Sequence, residues 1–157
     1  MVEKPSFTSL SNFNRALEDL LGKMSGPEKI AQLCAVRAIE LTEDGKFSPA
    51  KANLLKNGIG IITRLTGDGL TPDQARDLVV QAQNYLIKET RLGIPAIVQE
   101  ECLAGIKSAE AASFPQSIAL AATWDTDLLA EVSAVVGEHA RSLGVRHCLS
   151  PVLDLAL

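Results

Sequence analysis

The sequence predicts an α/β fold built on a parallel sheet, and three observations carry that prediction. Four short apolar runs, at residues 33–36, 59–65, 95–98 and 148–155, are separated by stretches of helical periodicity. None of the runs alternates strictly between apolar and polar, so none reads as a half-solvated antiparallel strand. Runs apolar on both faces with helices between them are what a parallel sheet covered on both sides requires.

The elements follow in chain order. Leu10, Phe13, Leu17, Leu20, Leu21 and Met24 share one face of an opening helix, and Ser25 with Glu28 forms a capping box for a short helix after it. The first apolar run follows, then a loop at 44–48 and a short helical piece at 50–56. The second run, in "NGIGIITRL", is framed by glycines that suit a helix stop followed by close backbone packing. After a loop at 66–71 comes the clearest helix, 71–93. Thr71 caps it, Pro72 takes the first helical position and Gln74 reaches back, while Ala75, Leu78, Val79, Ala82, Tyr85 and Leu86 form its stripe. Lys88 and Arg91 suit the negative end of its dipole, and Gly93 is the expected stop.

The third run ends in Gln99, Glu100 and Glu101. A short helical piece is expected at 117–122. A second long helix at 125–144 is capped by Asp125, carries Leu128, Leu129, Val132, Val135, Val136, Ala140 and Leu143 on one face, and stops at Gly144. Pro151 cannot donate to a central ladder, so it is expected at a bend or bulge near the start of the fourth strand. Two architectures fit this pattern. An open doubly wound sheet would be complete at this size, whereas an eight-stranded βα barrel typically needs about 250 residues.

Composition narrows the function classes. A formal net charge of −4 argues against nucleic acid or an anionic membrane as partner. No apolar segment reaches bilayer length, and the N-terminus lacks the basic start and apolar centre of a secretory signal, so cytoplasmic residence is expected. Cys34, Cys102 and Cys148 match no metal spacing and are expected as buried free thiols. "TGDGLTP" lacks the spacing and lysine of a phosphate loop. Trp124, at a helix entry, is expected as a packing anchor.

In either architecture ligands gather at the C-terminal ends of the strands, where this chain puts Arg64, Glu100, Glu101 and Asp154. An arginine and carboxylates on one rim can grip a polyhydroxylated ligand, because sugar hydroxyls both donate and accept. Neighbouring side chains of a strand face opposite ways. One of the adjacent carboxylates therefore faces the rim, and the other turns toward a covering helix or solvent.

Five segments, "LGKMSGPEKIAQL", "NGIGIITRL", "RLGIPAIVQEECLAG", "SFPQSIALAATWDTDLLAEV" and "LGVRHCLSPVLDLA", are in order similar to the opening of family 3 glycoside hydrolases, which include β-glucosidases and β-xylosidases. The resemblance implies the first half of a (β/α)8 TIM-type barrel, about four parallel strands with covering helices. It implies hydrolysis of terminal β-O-glycosidic bonds with retention, on a β-linked oligosaccharide or glycoside, without metal or organic cofactor. It also implies a sugar-binding carboxylate four positions before a glycine, which is Glu101 ahead of Gly105. Arg64 and Asp154 match residues common on the family's rim. Ala104 replaces a histidine that usually precedes the glycine, and Leu157 takes the place of the first arginine in a substrate-gripping Arg-Asp-Pro-Arg-Trp-Gly-Arg segment. The nucleophile and the acid/base lie further on in the family. The expectation is thus of a truncated chain that holds sugar but lacks the catalytic pair, with an open barrel edge that invites self-association or a partner chain.

Overall fold

A computed structural model describes residues 10–108 and 110–152. The apolar runs become one sheet. Strands β1 (Ala35–Arg37), β4 (Ile61–Thr63), β5 (Ile97–Glu100) and β6 (His147–Cys148) lie parallel in the order β1-β4-β5-β6. Sheet order thus follows chain order without reversing. A doubly wound sheet reverses at its switch point, whereas a βα barrel does not. The described strands are neighbouring staves of a (β/α)8-type barrel.

Register fixes which side chains share a face. Val36, Ile62 and Val98 form one row across three strands, and each is buried. Helix α3 (Pro72–Glu89) lies in the same core through Leu78, Ala82 and Leu86, so this face is the covered one. The alternate rows, Ala35–Ile61–Ile97 and Arg37–Thr63–Gln99–His147, face the other way. There Ile97 is 52% exposed. The expectation of a sheet covered on both sides is corrected: among the described residues only one face is packed, and the other is the inner face of the curved sheet.

Local chemistry explains the helices. At α3 the Thr71 hydroxyl accepts from the Gln74 N–H while the Gln74 side chain accepts from the Thr71 N–H, so two orphan donors of the first turn are satisfied. The helix ends at Glu89, short of Gly93. Helix α2 (Gly26–Gln32) has the predicted Ser25–Glu28 box, and Arg91 clamps Glu28 through Nε at 2.9 Å and Nη2 at 2.5 Å. That pairing holds the Glu28 carboxyl down at about 2, with the Ser25 backbone and hydroxyl adding to it.

Helix α1 (Leu10–Lys23) and helix α5 (Thr126–Ser142) form where predicted, and Asp125 caps α5 by accepting from the Asp127 and Leu128 N–H groups. Their stripes are less covered than the pattern suggests. Phe13, Leu17 and Leu21 on α1, and Leu128, Leu129 and Val135 on α5, all remain partly in solvent. Helix α4 (Ser117–Ala121) matches the predicted short piece, and a 3-10 turn at Lys51–Leu55 the other.

Three expectations change. The loop at 44–48 is part of a hairpin, β2 (Thr42–Glu43) with β3 (Lys46–Phe47), turned by Asp44 and Gly45 at φ of 50° and 74°. Positive φ at both central residues is the type I′ requirement that Asp-Gly meets. Pro151 follows β6 instead of bending its start. Trp124 is no packing anchor: it is 93% exposed with φ of 55°.

Candidate functional site

The C-terminal ends of the four strands form one rim. The apolar residues that anchor β5 stop at Val98, so alternation carries Glu100 onto the covered face and Glu101 past the ladder to the open one. Glu100 is 1% exposed. Its Oε2 accepts from the Thr66 N–H at 3.2 Å and its Oε1 from the Glu101 N–H at 3.0 Å. One carboxylate thus ties the loop after β4 to the backbone that aims Glu101. The side chain of Glu101 itself is 48% exposed. The two like charges sit side by side in sequence because they serve opposite faces.

Arg64 leaves β4 with φ of 58°, a left-handed conformation that L residues adopt at a cost of about 1–2 kcal/mol. Its Nη1 stands 3.5 Å from Glu101 Oε1, and its Nε donates to Asp68 Oδ1 at 3.3 Å. Asp68 is gripped more firmly from the other side, by Arg37 Nη2 at 2.7 Å and Nε at 2.9 Å. The Arg37 guanidinium holds the Asp68 carboxyl below its ordinary range against the opposing effect of burial, and Arg64 adds to it. Charges therefore alternate across the ends of three strands, in the order Arg37, Asp68, Arg64, Glu101. Only the last link is long and exposed.

The open face continues the polar belt. The Thr63 hydroxyl donates to Gln99 Oε1 at 3.2 Å, and Gln99 Nε2 lies 3.1 Å from His147 Nδ1. Of the residues singled out from sequence, Arg64 and Glu101 are brought together, and Asp154 lies outside the described residues. Arg37 and Asp68 were not anticipated, and Gln99 and His147 were given no role. Arg37 falls one position beyond the first apolar run, and Asp68 sits in a loop read as ordinary.

The cysteines are free: Cys102 is buried, Cys148 intermediate, and Cys34 exposed instead of buried as expected. Burial, and then the Cys148 thiol beside it, push the Cys102 thiol up, so it is no candidate nucleophile. Among the described residues no group of three or more His, Cys, Asp or Glu is placed to hold a metal ion, and no helix is long and apolar enough to cross a membrane.

Comparison with known proteins supplies the context for this rim. A β-xylosidase of Formosa agariphila is 37% identical over 70 residues, 41% of this chain and 10% of its own. A second protein of that organism, also named for β-xylosidase activity, is 33% identical over 144 residues, 88% of this chain and 19% of its own. A solved β-glucosidase from Erythrobacter marinus matches with a TM-score of 0.75 at 30% identity, covering 90% of this chain and 18% of that one. The chain spans about a fifth or less of the length of these relatives. The model of the glycosyl hydrolase family 3 N terminal domain matches residues 27–157, and with so much of its length inside that match the chain belongs to glycosyl hydrolase family 3.

Proposed function

We propose that the rim holds the terminal sugar of a β-linked glucoside or xyloside, with Glu101 accepting hydrogen bonds from its hydroxyls and Arg64 donating to them. In a longer polypeptide this would serve hydrolysis of terminal β-O-glycosidic bonds with retention, which the family resemblance implies; the relatives are named as a β-xylosidase and a β-glucosidase. The observation that carries the reading is the split between Glu100 and Glu101: the exposed one alone is available to a ligand. Its tie to Arg64 is a partly exposed pair at 3.5 Å, a contact generally worth under about 1 kcal/mol. A hydroxyl displaces it at little cost. The left-handed backbone at Arg64 agrees, since strain of this kind clusters at ligand clamps.

Asp154 joins this reading on the family resemblance. We read the described residues as binding sugar without cutting it. Retention needs two carboxyl groups roughly 5 Å apart, one attacking and one protonating. Near Glu101, Asp68 is occupied by two arginines and Glu100 by two backbone N–H groups. Neither is free to serve.

Titration calorimetry with xylose and glucose tests the reading. Glu101→Gln should weaken binding about ten- to a hundred-fold, the worth of a charge-assisted hydrogen bond. A chromogenic β-glucoside should give no turnover above buffer with the purified chain. Turnover that disappears in Glu101→Ala would show the catalytic pair to be present after all. A second reading, a non-catalytic protein that assembles through the sheet edge, is favoured by one observation: β1 and β6 each lack a neighbour on one side among the described residues.

A further inference from the structure

Two of the free thiols meet where β5 runs beside β6. Cys148 is the register partner of Glu100, and partners on neighbouring parallel strands stand about 4.8 Å apart and share a face. That face is the covered one, since Glu100 is buried and Cys148 packs against the core. Cys102 belongs to the same core. Its thiol donates to the Glu100 carbonyl oxygen at 3.7 Å, and that oxygen also accepts from the Leu149 N–H at 3.0 Å. Leu149 directly follows Cys148. The Cys102 sulfur therefore lies over the seam between the two strands, with the Cys148 thiol beside it.

The pair is unequal. Cys148 is partly exposed and Cys102 is buried. Burial raises the Cys102 thiol most, and the hydrogen bond and charge of Cys148 raise it further. A small oxidant therefore meets Cys148 first, because oxidation follows exposure and thiolate character. Once the Cys148 sulfur is a neutral sulfenic acid, its charge no longer opposes ionisation of Cys102, and the second thiol is already at hand. Cys34 is no competitor inside the chain. It precedes β1, at the opposite edge of the sheet from β6.

We infer that Cys102 and Cys148 are a modification site, an oxidisable pair at which a hydroperoxide closes an intramolecular disulfide that clamps the segment after Glu101 to β6. In the first step the Cys148 sulfur attacks the peroxide and takes one oxygen as a sulfenic acid. The O–O bond breaks, and the thiol proton ends on the leaving oxygen as water or an alcohol. In the second step the Cys102 sulfur attacks the Cys148 sulfur, the S–O bond breaks, and the hydroxyl leaves with the Cys102 proton as water. Two thiols are oxidised and one peroxide is reduced. The inference is independent of sugar binding.

Hydrogen peroxide added to the Cys34→Ser chain, which lacks the exposed thiol, tests it. The monomer should lose the mass of two hydrogen atoms, a non-reducing peptide map should show Cys102 linked to Cys148, and dithiothreitol should restore both thiols. The urea midpoint should move up on oxidation and return on reduction, because a cross-link constrains the unfolded chain. Cys102→Ser should abolish the link and leave a Cys148 sulfenic acid that dimedone captures. Cys148→Ser should leave Cys102 unmodified, and this variant, at the partly exposed position, decides the matter should Cys102→Ser fail to fold. A map in which Cys102 stays free while Cys148 goes on to sulfinic acid, or in which only links between chains form, overturns the pair. A linked chain with an unchanged midpoint overturns the clamp.

Discussion

At the scale of single residues, the adjacent carboxylates show what alternation alone can tell. The period of two is a property of extended backbone, so it separated Glu100 from Glu101 before any partner was known. It did not reveal what Glu100 holds. Glu100→Ala should leave the Thr66 and Glu101 N–H groups without their acceptor and lower stability by about 1–3 kcal/mol for each group left unsatisfied, read as a shift in denaturant midpoint. Arg37 and Asp68 escaped notice for another reason. They stand 31 positions apart, and a pairing across a sheet leaves no local periodicity. Glu28 carries a pH dependence. Its folded value of about 2 lies below the ordinary 4.5, so the folded state binds its proton more weakly than the unfolded chain does. The stability this confers is present above about 4.5 and is lost as pH falls toward about 2. Thermal melts across that window should show a smaller loss for Glu28→Gln than for the wild type.

Elements were legible where their signals are short-range. The Thr71–Gln74 and Ser25–Glu28 boxes lie three residues apart, and both helices start where those pairs put them. The β2–β3 hairpin was missed because strands of two residues carry no alternation, although Asp44-Gly45 is itself a turn signal. In α5 the stripe was evident and its coverage was not, since periodicity names a face without naming its partner. Two glycines separate close packing from open space. An added Cβ at Gly60 would fall 2.0 Å from the Gln32 carbonyl oxygen, at the end of α2, and backbone cannot give way as a side chain can. Gly60→Ala should therefore cost more than the roughly 1–3 kcal/mol of ordinary overpacking, and its urea transition should come much earlier or vanish. At Gly137, inside α5, a Cβ meets nothing within 4 Å. Gly137→Ala should raise stability by about 0.5–1 kcal/mol through helix propensity, seen as a later midpoint.

At the scale of the whole molecule, the parallel class was legible from four apolar runs between helices, but the pattern could not choose between a doubly wound sheet and a barrel. The strand order and the one-sided packing decide it. The same one-sidedness leaves Ile97 on the inner face open to water, and Leu128, Leu129 and Val135 on α5 are exposed as well. Exposed apolar surface beside unpaired strand edges favours association. Sedimentation velocity on the 157-residue chain should show mass rising with concentration, and Leu128→Asp combined with Leu129→Asp should reduce it. A single monomeric boundary throughout would contradict the partner reading. The order β1-β4-β5-β6 has one more consequence. Among the described strands, β4, β5 and β6 each dock beside the one synthesised before it in the sheet, so this part of the scaffold can be laid down by accretion while the polypeptide is still leaving the ribosome. Nothing in the ladder of described strands has to wait for a distant stretch to emerge, and the earliest-made edge is already in place when the rim end of the next strand arrives.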